Sequence, residues 1–294
     1  MLNLPEIKGK YIKNFSLSKL TWFQTGGKAD VLFVPKDSQD LEIFLRKINK
    51  KVPIHIVGGC SNLLIRDGGV KGVVIKLGSG FDFIKIEKKF IICGAGTKNI
   101  NLSKNLSKQK IKGFEFLSTI PGTLGGAIFM NSGCYGSEIK DIILSVFVVN
   151  RDGKMIELKK KDINFAYRSS GINEDFFIVA AKLKLSYGNL KNINERIKKF
   201  ISKRKETQPI KNLTGGSTFK NTKKKKAWKI IKDSGCDNVE VGGAKLSSKH
   251  CNFLINTGNA TSLDLENLGN KIKDKVYRKF SIKLDWEIKI IGKK

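Results

Sequence analysis

Long apolar runs are missing from this 294-residue chain: none approaches the roughly 20 residues needed to cross a bilayer. The segment Met1–Lys13 has no apolar stretch of signal-peptide length, so the sequence predicts a cytoplasmic protein with no membrane partner. Histidine is scarce, with only His55 and His250, and the five cysteines (Cys60, Cys93, Cys134, Cys236, Cys251) form no C-x-x-C pair. That excludes a disulfide framework and a zinc site; reduced, mostly buried thiols and no metal are expected. Arginine is scarce too: Arg46, Arg66, Arg151, Arg168, Arg196, Arg204 and Arg278 are all there are, and lysine supplies the rest of the net charge of +30. Such charge suggests nucleic acid, because cations release counterions from phosphates. Base readout, however, favours the arginine fork, and the aromatics are mostly Phe in apolar contexts, not interleaved with the basic runs. No nucleic-acid partner is therefore expected. A lysine-rich surface maintains solubility and attracts polyanionic small molecules, and Lys223–Lys226 fits a solvated loop.

A hydrophobic fraction of 40%, with 18 Phe, suffices for a sizeable core and for two or three compact domains. Val31–Pro35 fits a strand, and Asp37 or Ser38 caps a helix to about Lys51 with Leu41, Phe44, Leu45 and Ile48 on one face. Strands follow at Pro53–Val57 and Val73–Leu77, then a hairpin over Phe81–Cys93 and a helix over Asn99–Lys110. Further strands are expected at Ile142–Val149 and Phe176–Leu185, and a boundary at Tyr187–Asn194. The helix after it should bury Ile193, Ile197, Phe200 and Ile201 and stop before Thr207. The last part holds helices at Ala227–Ser234 and Ser262–Phe280, the second opened by a Thr261/Asp264 capping box, and a closing strand at Leu284–Ile291. Strands and helices alternate without repeats or low complexity, which gives an α+β or mixed α/β class in two main parts.

Two glycine-rich segments carry the chemistry. In Ile56-Val57-Gly58-Gly59-Cys60-Ser61-Asn62-Leu63-Leu64-Ile65-Arg66-Asp67 an apolar strand runs into glycines, a hydroxyl and an amide. Glycine lets the backbone turn tightly and approach a ligand, so that successive N–H groups converge on an anion. The G-x-G-x-x-G spacing of a nicotinamide-binding Rossmann turn is absent. Thr119-Ile120-Pro121-Gly122-Thr123-Leu124-Gly125-Gly126-Ala127 is a second such segment. Together they suggest a diphosphate-bearing cofactor held from two sides; plain turns are the alternative for either alone.

Six motifs in order extend this reading. They run from Thr21-Trp22-Phe23-Gln24-Thr25-Gly26-Gly27-Lys28-Ala29-Asp30 through Met130-Asn131-Ser132-Gly133-Cys134-Tyr135-Gly136, Tyr167-Arg168, Gly215-Gly216-Ser217-Thr218-Phe219-Lys220-Asn221 and Gly242-Gly243-Ala244 to Trp286–Gly292. Over essentially its whole length the chain resembles the UDP-N-acetylenolpyruvoylglucosamine reductase family, in its shorter class without an inserted substrate loop. The resemblance implies an α+β chain with the FAD-binding fold of the vanillyl-alcohol-oxidase/PCMH type over residues 1–188, in two subdomains divided near residue 80. A C-terminal α+β substrate domain would occupy residues 189–294.

It also implies non-covalent FAD held by Gly58, Gly59, Cys60, Ser61, Asn62, Leu63, Thr119, Pro121, Gly122, Thr123, Gly125 and Gly126. NADPH and UDP-N-acetylglucosamine enolpyruvate would be the small-molecule partners, using one cleft in turn; a monomer is favoured. The implied reaction reduces an enol ether to a lactyl ether. Ser217 matches the proton donor, Arg168 the clamp on the substrate carboxylate, and Glu287 the third catalytic residue, either paired with Arg168 or protonated. Tyr167, Asn221 and His250 match or lie near substrate-binding positions. On spacing alone, Ser217 is a serine bonding its own backbone in a glycine turn, a reading that the register of Gly215–Asn221 reverses; Arg168 could form a surface salt bridge, and Glu287 could face outward from a strand. Cys60, Leu213 and Gly215 depart from the family's usual glycine, proline and alanine or cysteine. The rival reading is an FAD oxidase or dehydrogenase of the same fold acting on another substrate.

Overall fold

The structure, a computed structural model, describes residues 2–294. It divides into two compact units, both discontinuous in sequence. The first comprises the described residues up to Lys13, Val31–Gly59 and Gly72–Lys203; the second comprises Asn14–Asp30, Cys60–Lys71 and Arg204–Lys294.

Mainly in the first unit, one sheet runs in the order Lys10–Ser16, Lys28–Val34, Val70–Lys76, Ile54–Val57. The last two strands are parallel, with Ile56 opposite Ile75. Asp37 caps the helix Ser38–Lys47 as its sequence predicts, accepting from the Asp40 N–H at 2.9 Å. Leu41, Phe44 and Leu45 on that helix pack on Val31, Phe33, Val73 and Ile75. Asp40 is buried at 1% exposure, and the Lys8, Gly9 and Lys36 N–H groups meet its carboxylate at 2.7–2.9 Å, so its burial is compensated. The helix stops at Lys47, short of the expected Lys51, because the Asn49 side chain accepts from the Lys51 N–H and turns the chain.

A second, antiparallel sheet has the order Met155–Lys159, Ile143–Val149, Phe177–Lys184, Phe90–Gly94, Ile84–Ile86. The last pair is the predicted hairpin, with Ile86 opposite Ile91. Helices Asn99–Lys108 and Leu124–Phe129 cover it through Leu102, Leu106, Leu124 and Ile128. The helix Leu190–Thr207 begins inside the stretch read as a boundary, where Asn189 accepts from the Lys191 N–H, and includes Thr207. Of its expected apolar face only Ile193 is buried, and Ile201 is 36% exposed. Phe200 is half-buried because its ring stacks on Tyr135, at 4.4 Å and 11°.

The second unit packs helices Ala227–Asp233 and Ser262–Phe280 with the small sheet Glu240–Val241, Ala244–Leu246, Leu254–Asn256. The long helix carries the predicted capping box and buries Leu265, Leu268, Ile272 and Val276. Gly269 on it leaves room for Trp286: a Cβ there would come within 2.8 Å of two further ring carbons and closer still to Cη2. Leu63–Ile65 pairs in parallel with Lys289–Ile291. The closing strand is thus shorter than expected. Residues 284–288 are extended but run against the 217–220 segment, where Glu287 and Ile288 both direct their N–H groups at the Thr218 carbonyl and break the ladder. The predicted α+β organisation holds.

Among the described residues no helix is long and apolar enough to cross a membrane, and no cluster of His, Cys, Asp or Glu could hold a metal. None of the five cysteines is in a disulfide; Cys60, Cys93 and Cys236 are buried.

Candidate functional site

In the first unit the two glycine segments meet. The strand Ile54–Val57 delivers Gly58 and Gly59 onto the second segment. A Cβ on Gly59 would lie 2.5 Å from the Gly122 Cα, and one on Gly58 would lie 2.6 Å from the Thr123 Oγ1. Any side chain at these positions would force the segments apart, so the close approach explains the glycines. Gly122 adopts φ +90, a region that glycine enters without strain. The second segment is pinned on the chain before the Asn99 helix. Leu124 and Gly125 donate to the Thr97 and Ala95 carbonyls at 2.9 Å, and Asn99 returns bonds to the Gly122 and Pro121 carbonyls. Gly126 is exposed, and a Cβ there would meet only the Thr123 Oγ1, at 3.8 Å. The pair offers bare backbone on a rigid base, which fits an extended diphosphate-bearing group such as FAD. The amides of Leu124 and Gly125 are already engaged by the Thr97 and Ala95 carbonyls, so these two face the protein and not a ligand. Thr119 is buried and directs its hydroxyl at the Phe116 carbonyl, 3.1 Å away.

Tyr167 and Arg168 form the tip of a tight turn in the same unit, closed by paired bonds between Ala166 and Ser169. Arg168 has φ +58, an uncommon conformation for a residue with a Cβ and one that clusters at functional sites. Its guanidinium lies 4.8 Å from the Tyr167 ring and donates to the Gly133 carbonyl at 3.2 Å. The turn is fixed from beneath by buried Asn131, whose amide donates to the Ala166 carbonyl (2.9 Å) and to Glu138 (3.1 Å) while accepting from the Lys140 N–H. Ser170 adds two bonds to the Phe129 carbonyl. One support, Phe129, ends the glycine helix Leu124–Phe129, and the other, Asn131, lies two residues beyond it.

The second unit brings Ser217 and Glu287 together. Thr218, the residue after Ser217, accepts the Glu287 N–H on its carbonyl at 2.8 Å, and Phe219 bridges Trp286 with ring centroids 5.0 Å apart. On its other side Glu287 is gripped by Asn62, which donates from Nδ2 to the Glu287 carbonyl at 2.9 Å and accepts from the Lys289 N–H at 3.0 Å. Cys60 is buried with φ +51, a conformation in keeping with the glycine more usual there. Ser61 and Leu63 are half-buried. Before the serine, a Cβ on Gly215 would fall 2.9 Å from the Phe23 Cζ and nearer still to Cε2. Ser217 is half-buried, and its hydroxyl makes no hydrogen bond to its own backbone.

Asn221 is exposed and uses its Oδ1 to accept from the Ala227 N–H at the start of the short helix. His250 is half-buried between the rings of Trp228 and Phe253, and its Nδ1 faces the Asn252 N–H at 3.3 Å. Burial pushes its pKa below the usual histidine value. Lys223–Lys226 is an exposed loop, as the sequence suggested. Nothing in the residue pattern marked Asn131 or Asn252: a buried asparagine shows its worth only when its partners are visible. Asn131 at least sits inside a motif already quoted.

A backbone cradle for a dinucleotide-sized cofactor, joined in one chain to a small domain presenting a serine and a carboxylate, defines a flavin-binding oxidoreductase. The comparisons agree: the FAD binding domain pattern matches residues 29–159, and the UDP-N-acetylenolpyruvoylglucosamine reductase C-terminal domain pattern matches residues 208–291. The reductase of that name from Rickettsia typhi is 46% identical over 290 residues, spanning 99% of this chain and 98% of its own. The one from Rickettsia conorii is 44% identical over 293 residues, covering 100% of this chain and 99% of its own. The crystal structure of UDP-N-acetylenolpyruvylglucosamine reductase from Thermus caldophilus superposes with a TM-score of 0.85 at 27% identity, over 98% of this chain and 100% of that one. The chain belongs to the UDP-N-acetylenolpyruvoylglucosamine reductase family. Its Ser217–Asn221 and Glu287 segments lie inside the C-terminal pattern, which an FAD oxidase of the same fold does not require.

Proposed function

We propose that the chain reduces UDP-N-acetylglucosamine enolpyruvate to UDP-N-acetylmuramate, with NADPH as reductant, in cytoplasmic peptidoglycan precursor synthesis. Residues within 1–188 hold the FAD and 189–294 form the substrate domain. The observation that carries this reading is the joint placement of Ser217 and Glu287 about the Thr218 carbonyl.

The glycine segments at Gly58–Gly59 and Gly122–Gly126 would hold FAD, which would supply two-electron hydride chemistry between NADPH and the enolpyruvyl group. The chain's own residues handle the charge that develops. Negative charge accumulates on the carbon beside the carboxylate and spreads onto its oxygens, so a planar cation there stabilises the transition state. Arg168 supplies it: the guanidinium fork matches a carboxylate in two places, and the Gly133 carbonyl and Tyr167 ring limit its sweep. Ser217 gives its hydroxyl proton to that carbon, which completes addition of hydride and proton across the double bond. A serine hydroxyl is a weak acid and acts only on so basic a centre; Glu287, whose N–H meets the carbonyl of Thr218 next to Ser217, is the group assigned to tune or replenish its proton. Tyr167, Asn221 and His250 contact the UDP-sugar.

The test is NADPH oxidation by the purified, FAD-loaded protein with and without UDP-N-acetylglucosamine enolpyruvate. Oxidation that requires the enolpyruvyl compound is expected. Oxidation by oxygen alone, indifferent to that compound, would return the chain to an unassigned flavoprotein.

A further inference from the structure

We propose that Asn252 is the positioning residue of the proton-donating loop: it holds Ser217, and through Thr218 also Glu287, in the geometry the reduction needs. The proposal rests on the reading of Ser217 as proton donor.

Ser217 is hydrogen-bonded into place chiefly from the residues that follow it. Before it stand Gly215 and Gly216; Gly216 has φ +84, and no atom lies within 4 Å of where its Cβ would be. That side offers the serine no side-chain anchor. After it, Asn252 takes three main-chain groups of Thr218 and Phe219. Its carbonyl accepts from the Thr218 N–H at 2.8 Å, its Oδ1 accepts from the Phe219 N–H at 3.0 Å, and its Nδ2 donates to the Phe219 carbonyl at 2.9 Å. The side chain thus stands in for a neighbouring strand. With those groups fixed, the Thr218 carbonyl points at the Glu287 N–H, and the Thr218 hydroxyl accepts from the Leu254 N–H at 3.2 Å.

An amide presents a donor and an acceptor of this size without charge at any pH, which suits the site because Asn252 is 4% exposed. A carboxylate in its place would set an oxygen against the Phe219 carbonyl. Burial also keeps Asn252 from reaching substrate or cofactor as a ligand of its own, so it acts through the residues it holds. Displacement of a reacting group by about 1 Å costs on the order of 100-fold in rate, so loosening this clamp should appear in the proton-delivering half of the reaction.

The experiment compares Asn252→Asp, Asn252→Ser, Ser217→Ala and the Ser217→Ala/Asn252→Ser pair with wild type, each normalised to bound flavin. Stopped-flow follows bleaching of the flavin by NADPH and then its anaerobic reoxidation by UDP-N-acetylglucosamine enolpyruvate; a titration gives the substrate dissociation constant. Both Asn252 variants are expected to slow reoxidation roughly 10- to 100-fold, with bleaching and substrate affinity near wild type. The pair should be no slower than Ser217→Ala alone, because residues acting as one unit do not add. A purely structural asparagine would instead lower flavin content or thermal midpoint and leave the rate per bound flavin intact. That outcome, an additive loss in the pair, or failure of both Asn252 variants to fold overturns the proposal. Wild-type Asn252 variants beside an inactive Ser217→Ala would remove the proposal alone. A fully active Ser217→Ala would remove the proton-donor reading and the proposal with it.

Discussion

Gly215→Ala isolates the space around the serine loop. The added Cβ would sit 2.9 Å from the Phe23 Cζ and 3.2 Å from Cδ2, well inside the roughly 3.5–4.0 Å at which carbon atoms attract. Phe23 cannot swing away: it is fully buried among Leu64, Phe219 and Leu254, and its carbonyl accepts from the Asn256 amide at 2.8 Å. Gly215 itself is not in the left-handed region, so alanine meets no backbone penalty and the cost is overpacking, about 1–3 kcal/mol. The chain's three tryptophans, Trp22, Trp228 and Trp286, all belong to the second unit, so their emission during a urea titration follows that unit alone. Phe23→Leu removes the ring and on its own costs about 1–2 kcal/mol of lost burial. It also vacates the place the new methyl needs. The double variant should therefore be more stable than the sum of the singles by about 1 kcal/mol or more. Additivity within about 0.5 kcal/mol would refute the reasoning, because it would mean that the ring and the methyl never compete.

Glu287→Gln keeps the backbone bonds to Thr218 and Asn62 and removes only the ionisable group, so turnover should fall about 100-fold or more with folding unchanged; unchanged turnover excludes a catalytic carboxyl. Glu266 is held below the usual carboxylate range by its paired bonds to Arg66, 2.8 Å each, against an opposing push from burial. Its folded pKa is depressed, so its contribution to stability is present above the unfolded value of 4.5 and is lost as pH falls through the lower folded value. Glu266→Gln should abolish that part of the acid loss in tryptophan-monitored unfolding; parallel wild-type and variant curves would refute it. Both histidines of the chain, His55 and His250, are pushed below 6.5, chiefly by burial, so proton NMR should show two imidazole titrations with midpoints under that value. By the same linkage they destabilise the fold as pH drops below 6.5, and a midpoint above it for either would contradict the burial seen here.

Local chemistry was legible in the sequence wherever one segment determined it. The Asp37 and Thr261 caps, the hairpin ending at Gly94 and the apolar face of the Ser262–Phe280 helix follow from spacing, and the structure has them. The misread elements depend on a partner distant in sequence. Phe200 is only half-buried because it stacks on Tyr135, and the strand before Lys289 is interrupted because the Thr218 carbonyl takes two successive N–H groups. At the candidate site, residue types and motif order pointed to Ser217, Arg168 and Glu287. The left-handed conformation of Arg168, the Asn131 support beneath it and the Asn62 bond to Glu287 join positions from 35 to 225 residues apart, which periodicity cannot reach.

The scarcity of arginine now has a structural sense. Arginine side chains take partners that define a geometry: Arg46 reaches the Gly153 carbonyl, Arg66 pairs with Glu266 and the Gly292 carbonyl, Arg151 bridges the Lys50 and Val52 carbonyls, Arg168 reaches Gly133, and Arg196 pairs with Glu115. A planar fork with fixed N–H directions holds a chosen carbonyl or carboxylate, whereas an ammonium is a mobile point charge. Lysine serves where charge alone is wanted, as in the exposed run Lys223–Lys226. The candidate loops are held differently, mainly by main-chain hydrogen bonds and by the side chains of Asn62, Asn131 and Asn252. Amides and backbone groups carry no net charge, so a surface can drift to +30 without disturbing these anchors. Arg168 is the exception among the candidate catalytic groups, since its position combines a strained backbone, a carbonyl anchor and an aromatic neighbour. Drift toward lysine would be costliest there, because an ammonium would lose the two-point grip on a substrate carboxylate while leaving the overall charge unchanged.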